Sequence, residues 1–181
     1  MHPRLEAVIE HADRARLDLL AALDTIPPGL QEARPSEDAW SAAEVLEHLC
    51  RVEKGVTRLT ELKAAELRGM AAVPMEGPEM VPVNVERFRR LPDRSSRIMA
   101  PDRVQPTGEV SAVEARAALL EHRRSLLSQL RQADGLALST VSHPHPVFGD
   151  LDLYEWVYTI GGHELRHAAQ LREIAAHFAN A

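Results

Sequence analysis

Residues 152–178, D-L-Y-E-W-V-Y-T-I-G-G-H-E-L-R-H-A-A-Q-L-R-E-I-A-A-H-F, decide the fold. Asp152 stands at a helix N-cap position, and Glu155 falls in the first turn, where a negative charge meets the positive end of the helix dipole. Val157, Ile160, Leu171, Ile174 and Phe178 then recur at helical spacing and draw one apolar stripe along a long helix. Two imidazoles, His163 and His167, lie on that stripe four residues apart, which places them ~5–6 Å from each other on one face.

Three further helices of the same kind lie upstream. One begins at Ser41, whose S-A-A-E run to Glu44 has capping-box form, with Trp40 before it as a staple residue. Val45, Leu49, Val52, Val56 and Leu59 carry it to about Gly69. Another begins with S-A-V-E at Ser111 to Glu114 and runs through Ala117, Leu120, Leu127 and Leu130 to Gly135. The first in the chain spans about Pro3 to Leu23, with Leu5, Val8, Ile9, Ala12, Leu19, Leu20 and Leu23 on its stripe, and Pro27-Pro28-Gly29 stops it. Four helices of similar length, each with one apolar stripe, pack as a bundle. The expected fold is therefore all-α, a four-helix bundle forming a single domain over residues 1–181. Residues from about Met70 to Val110 hold six prolines and form a long connection between the second and third helices. One short helix, Asn84 to Leu91, is expected within it. So long a connection serves as a crossover of the bundle or a lid over one end.

Composition narrows the function. Charged residues make up 27% and aromatics 4% of 181 residues, and the Ala, Leu, Glu and Arg excess favours helix over strand. A net charge of -6 leaves no basic surplus to neutralise phosphates, so nucleic acid is not an expected partner. No apolar run reaches the ~18 residues needed to span a bilayer, and no apolar signal segment follows the first residues; a cytoplasmic protein with no membrane contact is the expectation. The sole cysteine, Cys50, excludes an intramolecular disulfide and suits a reducing compartment.

The chemistry rests on three histidines. His48 lies between Val45 and Val52 on the second helix, and with His163 and His167 it should face the bundle interior or its edge. Two readings compete: buried, hydrogen-bonded core imidazoles, or ligands of one divalent ion. A metal satisfies three acceptor nitrogens at once, and three ligands leave positions open for water or substrate. His143 or His145, from H-P-H-P at residues 143–146, would close the set if either supplied a fourth ligand. H-E-L-R-H also has the zinc-protease form H-E-x-x-H with Glu164 as base, but no third ligand at that family's downstream spacing follows. Glu164 is then expected at most as a hydrogen-bond partner of a ligand or as a proton carrier. Gly161-Gly162 implies either room for a ligand or kink beside the site, or the close approach of a neighbouring helix. Cys50 is turned ~200° from His48 and reads as a packing residue. His2, His11, His122 and His177 show no partner pattern.

Four stretches together, W-S-A-A-E-V-L-E-H-L (40–49), A-P-D-R-V-Q-P-T-G (100–108), H-P-V-F-G-D-L (145–151) and H-E-L-R-H-A-A-Q-L (163–171), resemble the DinB-like superfamily and within it the YfiT-like branch. The resemblance implies a four-helix bundle, commonly a homodimer, with zinc or nickel held near one end by the three histidines that correspond here to His48, His163 and His167. It further implies metal-dependent hydrolysis of a small-molecule substrate, or transfer of a low-molecular-weight thiol onto an electrophile. The alternative is a metal-stabilised stress-response or binding bundle without turnover. The Pro-rich connection and residues 143–146 are the expected rim of the site.

Overall fold

The structure is a computed structural model that describes residues 1–79, 82–95 and 99–180. Its long helices begin where the capping residues stand. Pro3 opens α1 (Pro3–Leu23) behind the His2 cap. Reciprocal capping boxes open α2 (Ala42–Arg68) at Ser41 and Glu44, α4 (Ala112–Gln132) at Ser111 and Glu114, and α5 (Leu153–Ala179) at Asp152 and Glu155. The short helix expected in the connection is one turn, α3 (Val85–Phe88). At 21 to 27 residues the four long helices are about 32–40 Å long. α1 packs along α5, α2 packs along α4, and α2 also meets α5. This is the expected four-helix bundle. No helix among the described residues is long and apolar enough to cross a membrane.

Among the described residues, the chain departs from an all-helical reading in a β-hairpin. β1 (Ser142–His145) and β2 (Gly149–Asp152) pair antiparallel, with Ser142 opposite Asp152 and His145 opposite Gly149. A three-residue loop, 146–148, is followed by Gly149 at φ +68°, the left-handed position that such a hairpin requires. Two strands alone are marginal in water. This pair is held by the Trp156 indole, which donates to the His143 carbonyl at 3.0 Å, and by Leu151, which is fully buried.

Two apolar clusters form the core. One gathers Leu5, Val8, Ile9, Val56, Leu126, Leu130, Val157 and Ile160; the other gathers Leu19, Leu23, Leu46, Leu49, Leu119, Leu171 and Ile174. Between them in sequence, each long helix contributes a buried charged residue to one layer: Arg16, Glu53, Arg123 and Glu164. Arg16 donates to Glu164 at 2.5 and 2.9 Å and to Glu53 at 2.8 Å, while Arg123 donates to Glu53 at 2.6 Å and to Glu164 at 3.0 Å. The guanidiniums also bond the Leu119 and Ala12 carbonyls at 2.9 Å. Buried charges persist only when paired and hydrogen-bonded in this way.

The connection straps one side of the bundle. Phe88 is buried against Phe148 and Tyr158, at centroid distances of 5.1 and 5.5 Å. Leu91 covers Gly162, where an added Cβ would stand 2.7 Å from the leucine Cδ2. At Gly161 an added Cβ would meet the His11 ring at 2.6 Å and the Ala12 Cα at 3.2 Å. The glycine pair is therefore a close-approach device for α1 and the strap, not a kink beside the histidines. The His11 ring cannot swing aside cheaply, because it stacks on Tyr158 at 4.2 Å. Gly161→Ala is accordingly expected to lose about 1–3 kcal/mol of stability despite its better helix propensity. Gly55 lies in α2 with nothing within 4 Å of an added Cβ, so Gly55→Ala is expected to gain about 0.5–1 kcal/mol. Urea unfolding of the two variants checks the opposite signs.

Candidate functional site

The registers of α2 and α5 bring His48, His163 and His167 together. The Nε2 atom of His163 lies 3.3 Å from that of His48 and 3.0 Å from that of His167. These three are the one group of possible metal-ligating side chains that gathers in this way among the described residues. His143 and His145 line the cavity above but do not join the group. The His145 Nδ1 is instead used by the hairpin, accepting from the Val147 amide at 3.1 Å.

Hydrogen bonds behind two of the rings fix which nitrogen faces inward. The His48 Nδ1 lies 2.7 Å from the Val104 carbonyl, which can only accept, so this nitrogen carries the proton and Nε2 presents a lone pair. The His167 Nδ1 donates in the same sense to the Gln170 Oε1 at 2.9 Å. Both lone pairs point at the His163 Nε2, and one N–H there serves only one of them. The set is one lone pair too rich to satisfy itself with protons. Burial pushes all three imidazoles toward the neutral form, His163 to about 3 and His167 well below the ordinary value, with neighbouring rings adding to the effect on these two.

Sequence reasoning missed the groups that hold these rings. Val104 ends a 3-10 turn, Asp102–Val104, in the A-P-D-R-V-Q-P-T-G stretch. That stretch is latched to α2 by Glu47, whose carboxylate accepts from the Thr107 amide at 2.9 Å, the Thr107 hydroxyl at 2.9 Å and the Gly108 amide at 3.2 Å. These donors, with Arg51, hold the Glu47 carboxyl below the usual range against the opposing effect of burial. Gln170 was legible as the residue one turn beyond His167 on the same face. Trp40, read as a staple, also packs its ring 5.0 Å from His48.

Glu164 is not where the H-E-x-x-H reading would use it. It is 1% exposed and is absent from the cavity lining, and its Oε1 accepts from both Arg16 and Arg123. The sequence expectation of a proton carrier or ligand partner at this residue is corrected. One residue beyond His163 turns the side chain ~100° round the helix, into the charged layer of the core. Cys50 sits as expected, buried, donating to the Ala115 carbonyl at 3.3 Å, its thiol pushed up to about 12 chiefly by burial. It has no part in the site.

Over the histidines lies a cavity of about 910 Å³. Trp40, Trp156 and Ile160 give it apolar walls, and the strap and the hairpin form its rim through Pro101, Val104, Gln105, His143 and Pro146. Its size falls in the range of small-molecule sites.

Known proteins resemble this chain in fold and in sequence. A bundle solved under the description "Crystal structure of TT2238, a four-helix bundle protein" superposes with a TM-score of 0.56 over 93% of this chain and 98% of its own, at 22% identity, and so supports the fold alone. The uncharacterized protein YuaE of Bacillus subtilis (strain 168) is 26% identical over 163 residues, which cover 90% of this chain and 93% of that protein. The sequence pattern of the DinB superfamily matches residues 11–171, a span that includes all four long helices in part or whole and the three clustered histidines. The chain belongs to the DinB superfamily.

Proposed function

We propose that this chain is a metal-dependent enzyme acting on a small molecule, with zinc or nickel held by the Nε2 atoms of His48, His163 and His167. The observation that carries the reading is the convergence of three nitrogens of which two present lone pairs to the third. Their spacing of 3.0 and 3.3 Å is close to the ~3.3 Å edge expected for nitrogens bound at about 2.0–2.1 Å in tetrahedral geometry. Imidazole donors suit both ions. When bound, such an ion supplies Lewis acidity, lowering the pKa of a water for hydrolysis or of a low-molecular-weight thiol for transfer to an electrophile.

The protein's own groups perform the rest. The Val104 carbonyl and the Gln170 amide fix ring orientation and tautomer, a task whose loss typically costs 10–100-fold in metal affinity. Glu47 holds the strap that carries Val104. Trp40 and Trp156 shape the chamber in which a substrate meets the open side of the histidine set. That open side, facing a cavity, favours turnover over a purely structural ion, which prefers a closed sphere of four ligands.

Metal content by mass spectrometry, on protein purified without a histidine tag, tests the reading. Wild type is expected to hold close to one zinc or nickel per chain, and His163→Ala to lose it while keeping its helical circular dichroism. Loaded wild type is then expected to consume a thiol–electrophile pair or a simple ester or amide, and the variant is not. Wild type that neither carries nor takes up either ion would show that the three imidazoles are core histidines.

A further inference from the structure

We propose that His145 is a hydrogen-bond donor of fixed tautomer to a carbonyl oxygen of the substrate, so that the cavity takes small apolar molecules bearing an electrophilic carbonyl. The inference rests on the reading of this cavity as the substrate site and names the class of substrate.

The hairpin decides the tautomer. Backbone amides only donate, and two of them, from Val147 at 3.1 Å and Phe148 at 3.4 Å, converge on the His145 Nδ1. That nitrogen is therefore the bare one, and the ring carries its proton on Nε2. The described residues give Nε2 no hydrogen-bond partner. His145 lines the cavity together with His48, His163 and His167. A charge on it would bear on His163, so the two rings stand within electrostatic reach of each other.

The ring is held in this sense. Trp156 and Phe148 flank it at centroid distances of 4.7 and 5.0 Å. Phe148 packs in turn on Phe88, and the Trp156 indole is bonded to the His143 carbonyl of the same strand. Turning the ring over would set a C–H against both amides, and a proton on Nδ1 would set an N–H against them. Burial, with Arg103 and Arg87 nearby, opposes that proton as well and holds the imidazole down to about 4. A neutral imidazole N–H fixed in place is suited to polarising a carbonyl. Trp40, Leu59, Trp156 and Ile160 supply apolar surface for the rest of the molecule.

Both reactions open to this site put negative charge on such an oxygen. In ester hydrolysis, water gives a proton to solvent and its electron pair forms a bond to the carbonyl carbon, while the π pair moves to the oxygen. The pair then returns, and the alkoxide leaves and takes a proton from solvent. In thiol addition to a conjugated carbonyl, the thiol gives its proton to solvent and the sulfur pair bonds the β-carbon. The π electrons shift toward the oxygen, and the resulting enolate takes a proton at carbon. His145 keeps its own proton throughout and bonds the oxygen most strongly when it is charged, which is the condition for acceleration. An alkyl halide has no oxygen for this donor.

Long-range proton–nitrogen NMR of the isotope-labelled, zinc-loaded full chain reads the tautomer. His145→Asn, whose Oδ1 can still accept from the two amides, identifies the signal. Nε2–H with bare Nδ1 is expected at neutral pH. The ketone 4-phenyl-3-buten-2-one, labelled with carbon-13 at its carbonyl, then reads the contact. Both tryptophans line the cavity, so fluorescence reports its occupancy. His145→Asn is expected to keep the helical circular dichroism, to bind the ketone several-fold more weakly, and to raise the infrared carbonyl stretch of the bound ketone. His145→Gln, which returns an N–H close to the Nε2 position, is expected to restore part of both effects. Where wild type adds 2-mercaptoethanol to the ketone, His145→Asn is expected to lose on the order of 100-fold in kcat. An Nδ1–H tautomer, a carbonyl stretch equal in wild type and His145→Asn, or no binding of the ketone up to its solubility limit overturns the proposal.

Repeating the infrared comparison after chelation separates this inference from the metal reading. A lowered stretch that survives chelation and is lost in His145→Asn assigns the contact to His145. One that vanishes with zinc, in wild type and variant alike, assigns the oxygen to the ion and overturns the proposal while leaving the metal site standing. Protein that takes up no zinc but still shows the lowering that depends on His145 retains this inference and loses the other.

Discussion

Glu164→Ala is expected to destabilise the fold by about 3–5 kcal/mol, a large share of the 5–15 kcal/mol that holds an ordinary domain together. The residue is 1% exposed, and its Oε1 takes three hydrogen bonds, two from Arg16 and one from Arg123. Burial pushes the Glu164 carboxyl up, and the two guanidiniums beside it act against that. Removing the carboxylate leaves two buried cations with Glu53 between them and only the half-exposed Asp13 as a further partner, on Arg123. The opposite experiment sharpens the point. Replacing all four residues together with apolar side chains of similar volume (Arg16→Met, Glu53→Leu, Arg123→Met, Glu164→Leu) is expected to cost less than the single change, because desolvation of ions largely offsets what their pairing contributes. Urea midpoints of the single and quadruple variants decide the matter. A Glu164→Ala loss below about 1 kcal/mol would mean that water or repacking replaces the carboxylate, and that these charges do not tie the four helices together.

This layer also shows how much of the structure was legible in the sequence. The helices were, because four starts carried capping residues or N-terminal proline and four stripes kept one period; α2, α4 and α5 begin within one residue of their caps. The three histidines were legible for the same reason, since a side chain on a stripe must face the interior. The charged layer lay on those stripes too: Ala12–Arg16–Leu19, Leu49–Glu53–Val56, Leu119–Arg123–Leu126 and Ile160–Glu164–Ala168 each place one ion in an apolar run. Two positive and two negative charges at matching interruptions of four stripes is a signal for a buried quartet. The H-E-x-x-H reading drew Glu164 toward chemistry and away from it. The hairpin was hidden because Pro144 interrupts a four-residue strand and its stability comes from Trp156 and Leu151, contacts that no local pattern records. The grip of Val104 on His48 was hidden likewise, since 56 residues of chain separate the partners and the acceptor is backbone.

Acidification of the metal-free protein is expected to remove stability well before its carboxylates titrate. His163 and His167 are held neutral in the folded chain, His163 to about 3 and His167 well below 6.5, chiefly by burial and then by a neighbouring ring, His48 for His163 and His163 for His167. In the unfolded chain both titrate near 6.5. Below that pH the unfolded state binds more protons than the folded one, so stability rises with pH and falls as pH drops from 6.5 toward the folded values. A group held neutral loses about 1.4 kcal/mol between well above its unfolded pKa and one unit below it, so these two cost about 3 kcal/mol at pH 5.5 relative to pH 7.5. His48 and His11, both lowered by burial, act in the same direction. The carboxylates held low, Glu44, Glu47 and Glu76, have the same sign in a lower window: their contribution is present above about 4.5 and is lost as pH falls through their folded values. Two stages of acid loss are therefore expected, the imidazoles first. Urea unfolding at pH 7.5 and 5.5 in the presence of a chelator measures the first stage, and His167→Asn, which cannot titrate, is expected to reduce it by about 1.4 kcal/mol. Equal stability at the two pH values in wild type would mean that the folded chain accepts protons at the cluster, and a site that readily protonates its own ligands would not hold a divalent ion at mildly acidic pH.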